Sequence, residues 1–215
     1  VYPLISCCRA QVILRQRRFP KGPVMPMFNP KATALVLIDL QNGIVANPQL
    51  APRDGPAVVA AGKLAAEAFR AAGAPVVLVN VGFARDYVDM PSQAVDQRMP
   101  LPTTGLPEEW SMLVEGLEKT GDIRVLKRHW GAFHGTDLDL HLRRRGVDTI
   151  VLGGISTNFG VESTARSAWE HGYHVVIVED LCAGPSAEAH DFAFSTIFPR
   201  IARVVRSADI TFPPV

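Results

Sequence analysis

The sequence predicts an α/β domain, a single six-stranded parallel sheet held between two layers of helices. Three observations carry this. Six short apolar runs recur from Thr33 onward, at residues 34–38, 75–79, 123–126, 149–152, 174–178 and 201–205. Helical patterns separate them, the alternation expected of parallel strands joined by crossover helices. Within the runs apolar residues follow one another without alternation, as in Leu35-Val36-Leu37-Ile38 and Val175-Val176-Ile177-Val178, because strands covered on both faces have no solvent side.

The connecting elements carry their own punctuation. Residues 57–72 are alanine-rich and stop at Gly73, and residues 136–145 stop at Gly146, each glycine marking a helix C-terminus. In the second helix Asp137 and Asp139 lie near the start and Arg143, Arg144 and Arg145 near the end, complementing the helix dipole, so these arginines are read as structural. Residues 87–110 are proline-rich and lack a clear period, which predicts a long excursion over the sheet of the kind that closes over sites.

The chain has 215 residues, 47% of them hydrophobic, enough for one well-buried core and too few for two comfortable domains. One domain is therefore expected over residues 25–215. A formal net charge of +1 gives no surface suited to nucleic acid or anionic lipid, and points to a small-molecule partner. No apolar run approaches the roughly 20 residues that span a bilayer. The three cysteines, Cys7, Cys8 and Cys182, lack metal-ligand spacing and fit a reducing compartment, here the cytoplasm. Residues 1–24 begin apolar and then carry Arg9, Arg15, Arg17, Arg18 and Lys21, the reverse of a secretory signal's order. They are read as an N-terminal extension that is disordered or not native, with Met25 as the expected natural start.

In an open parallel sheet ligands bind beyond the carboxyl ends of the strands, so the residues following each run are the ones to inspect. The first run ends in Asp39-Leu40-Gln41-Asn42, the second leads to Arg85, the third ends in Lys127-Arg128-His129-Trp130, and the fourth in Gly153-Gly154-Ile155-Ser156. A carboxylate directly after four apolar residues is costly unless paired or in a cleft, which marks Asp39 as a candidate acid–base group and Lys127 as its partner. Trp130 and Phe133 are candidates for a pocket wall. The turn from Gly153 to Asn158 joins a buried strand to an amphipathic helix. It can either aim backbone N–H groups at a developing negative charge or serve as a plain tight turn. It is not a dinucleotide fingerprint, since no strand is followed by Gly-x-Gly-x-x-Gly.

Three segments carry a resemblance: Ala34 through Gln41, Lys127 through Leu138, and Gly154-Ile155-Ser156-Thr157-Asn158-Phe159-Gly160-Val161-Glu162-Ser163-Thr164-Ala165-Arg166. Together they resemble the isochorismatase-like hydrolase superfamily, over about residues 31–208. The resemblance implies a Rossmann-like three-layer sandwich, a homo-oligomer, and a non-proline cis peptide at Ile155–Ser156. Trp110, Trp169 and Phe198 are aromatics that could serve an interface or simply lie in the core. Cysteine hydrolases of this superfamily use an aspartate, a lysine and a cysteine. The first two carry over onto Asp39 and Lys127, whereas the cysteine's position holds Gly160. Nicotinamidase relatives add a metal held by an aspartate and histidines after the first strand. Residues 42–54 contain no histidine, so neither metal nor other cofactor is expected.

Glycine cannot form an acyl intermediate, which disfavours an amidase route. True isochorismatases also carry glycine at this point, and they hydrolyse a vinyl ether by protonating carbon and adding water. The resemblance therefore implies Asp39 as general acid and Lys127 as the group that holds a carboxylate or orients Asp39. Arg85 would clamp a second anionic group. Gln41, Trp130, Phe133 and Asn158 would contact substrate, and Ile155, Ser156 and Gly160 would form the backbone turn. Burial and the neighbouring ammonium pull the proton on Asp39 in opposite directions. Cys182 is a poor substitute nucleophile, since Glu179 and Asp180 beside it would raise its thiol pKa. The alternative reading is a catalytically silent metabolite-binding or assembly protein that keeps the pocket.

Overall fold

The computed structural model describes residues 27–214, so the expectations for residues 1–24, Cys7 and Cys8 lie outside the described residues. Six parallel strands, β1 (Thr33–Ile38), β2 (Val76–Val81), β3 (Ile123–Lys127), β4 (Thr149–Ile155), β5 (His174–Ala183) and β6 (Arg203–Val205), form one sheet in the order β3-β2-β1-β4-β5-β6. The order reverses between β1 and β4. A crevice opens at such a reversal because successive crossovers leave to opposite faces of the sheet.

The helices are α1 (Asn42–Val45), α2 (Gly55–Ala71), α3 (Leu138–Arg144), α4 (Glu162–Glu170), α5 (Ala187–Phe192) and α6 (Phe198–Ile201). Asp54 caps α2 by accepting the Ala57 N–H at 2.8 Å, and Gly73, at φ +73°, turns the chain away beyond its C-terminus. Two cores result, one on each face. Leu35, Leu37 and Leu40 pack under α2 with Val58 and Phe69, while Val36, Ile38 and Val79 pack with Leu138, Leu142, Ala165 and Phe198. Burying each large apolar side chain stabilises the fold by about 1.5–3 kcal/mol.

Differences from expectation are local. The strand expected at 201–205 starts only at Arg203, because Phe198–Ile201 closes a helical turn with Pro199 in its first turn. On β5 the ladder runs on to Ala183 across an irregularity opposite Leu152 and Gly154. Residues 84–107 contain no regular element, as their composition predicts. Arg143 bonds Asp139 and His171 O and lies 4.2 Å from the Tyr173 ring centre, a packing role. Phe198 is fully buried, whereas Trp169 is exposed and Trp110 partly so, which leaves these two available to an interface. Among the described residues no helix is long and apolar enough to cross a membrane.

Candidate active site

Asp39 is the first residue beyond β1, and its backbone sits at φ +54° while its N–H donates to Val79 O. Few non-glycine residues adopt that conformation, and aspartate is one that tolerates it. Lys127 ends β3, two strands away, and its four-carbon stem crosses the end of β2. Lys127 Nζ donates to Asp39 Oδ2 at 2.8 Å and to His129 O at 3.1 Å. Both side chains are almost wholly enclosed, 2% exposed for Lys127 and 7% for Asp39. Burial raises the Asp39 carboxyl to about 6 against the opposing pull of the ammonium. The contest between solvation and charge is thus won by burial. The other oxygen, Oδ1, is buried without a hydrogen-bond partner among the described residues.

The third corner comes from β4. Gly154, at φ +129°, passes so close to β1 that a Cβ there would lie 2.1 Å from Ile38 O, which requires glycine. The Ile155–Ser156 peptide is cis. Residues Thr157–Val161 form a single π-type turn in which Val161 N–H reaches back to Ser156 O at 3.1 Å. Phe159 N–H donates to the same carbonyl at 3.2 Å, so two backbone donors are spent within the turn. A Cβ built on Gly160 would lie 3.2 Å from Asp39 Oδ2 and 2.9 Å from Ile38 Cγ2. Any side chain at this position would therefore face the carboxyl directly. Thr164 fastens the turn, donating to Gly160 O at 2.6 Å and accepting the Ala132 N–H at 3.1 Å.

The remaining candidates divide. Trp130 is 65% exposed and its ring lies 4.7 Å from that of Phe159, beside the Gly160 turn, while Asn158 is half-buried with an unpartnered Oδ1. Gln41 is wholly buried. Its amide bonds Val81 O, Val81 N–H and Trp110 O at 2.7–3.1 Å, which makes it an interior brace with little left to offer a substrate. Phe133 belongs to the core, stacked on His171 at 5.0 Å and tilted against Tyr173, and not to a pocket wall as its position in the motif suggested. Arg85 is exposed and donates to Thr104 O at 3.1 Å, held to its own excursion and not aimed at the Asp39–Lys127 pair. The excursion is instead tied to the site strand by the Arg128–Asp89 ion pair. Cys182 is fully buried, donates to Val178 O, and burial pushes its thiol up to about 12, so it is no nucleophile. The sequence reading missed Phe159, although it adjoins Gly160. It also missed Thr157, Glu179 and His190, whose association depends on the path of β5 and α5 and on no local pattern.

Comparison with known proteins places the chain in a family. The Isochorismatase domain model matches residues 33–209. The isochorismatase family protein YecD of Escherichia coli O157:H7 is 55% identical over 180 residues, covering 82% of this chain and 93% of YecD. Ureidoacrylate amidohydrolase RutB of Enterobacter sp. (strain 638) is 30% identical over 220 residues, covering 91% of this chain and 96% of RutB. The solved structure of an isochorismatase family protein from Burkholderia thailandensis superposes with a TM-score of 0.80 at 45% identity, covering 86% of this chain and 96% of that one. The domain match over residues 33–209, the relatives and the shared fold meet in one conclusion: the chain belongs to the isochorismatase family of hydrolases.

Proposed function

We propose that this hydrolase acts on a small anionic metabolite of the cytoplasm by general acid catalysis from Asp39, without a covalent enzyme intermediate, in a reaction of the vinyl ether type. The observation that carries the reading is the Asp39 carboxyl: held near the proton-transfer range by burial, hydrogen-bonded on one oxygen, unpartnered on the other, and faced by a residue with no side chain. The protonated carboxyl gives its proton to the terminal vinyl carbon, and the ether oxygen's lone pair stabilises the resulting oxocarbenium ion. Water adds to that cation and returns a proton to Asp39. The hemiketal then collapses to an alcohol and a ketone, so the net change is addition of one water. Lys127 Nζ has three donors, of which two are bonded among the described residues. The third is the natural partner for a substrate carboxylate. Because Asp39 is enclosed, a substrate reaches it only by displacing the groups that cover it.

Amide hydrolysis is the second reading, favoured by the 30% identity with an amidohydrolase. It would have to proceed by direct attack of water, since Gly160 supplies no nucleophile. Incubation with isochorismate, with pyruvate and ammonia measured in parallel on isochorismate and on small amides, separates the readings. The expected outcome is pyruvate release that falls about 10²–10⁴-fold in Asp39→Asn while binding of isochorismate persists. Unchanged turnover in that variant removes Asp39 from the mechanism. Ammonia without pyruvate selects the second reading, and binding without either product selects a silent metabolite-binding protein.

A further inference from the structure

A chain of polar groups runs from part-exposed Glu179 on β5 through two buried residues to the Gly160 turn. His190, on α5, is 1% exposed, and its Nδ1 lies 2.9 Å from Thr157 Oγ1. Thr157 is itself fully buried and opens the turn that contains Asn158, Phe159 and Gly160. On the other side of the ring, His190 Nε2 lies 3.5 Å from Glu179 Oε1. Glu179, on β5, is held in turn by Arg53 at 2.8 Å and Arg206 at 3.0 Å. Arg53 also donates to Glu179 O and Cys182 O, fixing the segment of β5 from which the carboxylate projects. The ring is packed 4.5 Å from that of Phe194, so its orientation is set by apolar contact as well as by charge.

None of these groups touches Asp39, yet the turn they hold is the one whose backbone closes against it. Resting on the reading that Asp39 is the reacting acid, we propose that His190 is a positioning residue, which holds Thr157 and thereby keeps the Gly160 turn packed over the Asp39 carboxyl. The turn is clamped at two points, by His190 at its start and by Thr164 at its end. Burial lowers the pKa of the imidazole against the pull of Glu179, with Arg53 adding to the lowering and the adjoining Asp191 opposing it. A neutral ring with its proton on Nε2, toward Glu179, accepts at Nδ1 from the Thr157 hydroxyl. Releasing the clamp would let water reach Asp39, and since burial is the largest cause of its raised pKa, that value would fall.

The readout is the titration midpoint of Asp39, followed by carboxyl carbon NMR on the intact chain, which requires no substrate. His190→Phe and Thr157→Val, which keep the volume but remove the hydrogen bond, are expected to lower the midpoint from about 6 by about one pH unit, a tenfold change in the ratio of protonated to ionised Asp39. His190→Asn, whose amide can occupy the position of Nδ1, and Thr157→Ser are expected to restore it. A loss of thermal stability in the first pair with an unmoved Asp39 midpoint overturns the proposal, because a merely structural clamp would do that. If His190→Phe does not fold, Thr157→Val against Thr157→Ser decides the matter alone. An Asp39→Asn variant that still releases pyruvate would overturn the functional reading without altering the expected titration, so the two fail separately.

Discussion

Two carboxylates of the same sheet, Asp39 just past the end of β1 and Glu179 within β5, meet opposite fates. Asp39 has a single ammonium partner in an enclosed site, and burial raises it to about 6. For Glu179 burial pushes the same way. Two guanidinium groups, Arg53 and Arg206, outweigh it and hold the carboxyl below its usual range of about 4.5. The difference lies less in residue type than in partner count and access to water. One site stores a proton near neutrality, where it can be delivered. The other keeps its charge and serves as an anchor.

The contrast predicts opposite slopes of stability with pH. A carboxyl raised in the folded state favours folding below its unfolded value of about 3.8, and that contribution is lost as pH rises through about 6. A carboxyl lowered in the folded state contributes above its ordinary value and loses that contribution as pH falls through its folded pKa. The largest test is Lys127→Met. Removing the cation should raise the Asp39 midpoint above 6 and extend any acid-dependent turnover to higher pH. At high pH the variant should lose about 3–5 kcal/mol, because an ionised Asp39 is left without a partner. Chemical denaturation at pH 5 and pH 8 measures this, and equal losses at both would contradict the assignment of burial as the winning effect.

Next in size is Glu179→Gln, which leaves Arg53 facing a neutral amide. A loss of about 1–2 kcal/mol is expected at pH 7, shrinking toward zero as the pH falls through the lowered folded-state pKa of Glu179, where the wild-type carboxylate is itself protonated. Denaturant midpoints across that interval would sink the anchor reading if they moved in parallel for both proteins. The smallest effect is reserved for Arg206→Gln. That side chain is 67% exposed, and water and salt screen its pairing, so a change within about 0.5 kcal/mol is expected. A larger loss would mean that Arg206, and not Arg53, holds Glu179.

Much of this was legible along the chain. Strand position, the glycine stops after α2 and α3 and the placing of Asp39 and Lys127 past strand ends follow from periodicity, because hydrophobic burial on two faces leaves little choice of register, whereas the place of Gly160 beside them was implied by the family resemblance. What escaped depends on side-chain direction. Phe133 lies in the same motif as Trp130, yet it turns into the core toward Tyr173 while Trp130 remains on the surface. Gln41 follows Asp39 by two residues and spends its amide on the backbone of β2 and on Trp110 O. Arg85 bonds within the excursion that carries it. The His190–Thr157 contact joins residues 33 apart through the path of α5, and no local spacing encodes it.

The strand order gives the ammonium an unequal footing. Lys127 terminates β3, which lies at the sheet margin with β2 as its one ladder partner among the described residues, whereas Asp39 stands at the end of central β1. Marginal strands open at lower free energy than central ones, often without global unfolding. Fraying at the tip of β3 would carry the cation away while the rest of the sheet stayed intact. The carboxyl would then take up a proton, so hydrogen exchange at β3 amides should keep pace with the loss of charge at the centre of the molecule.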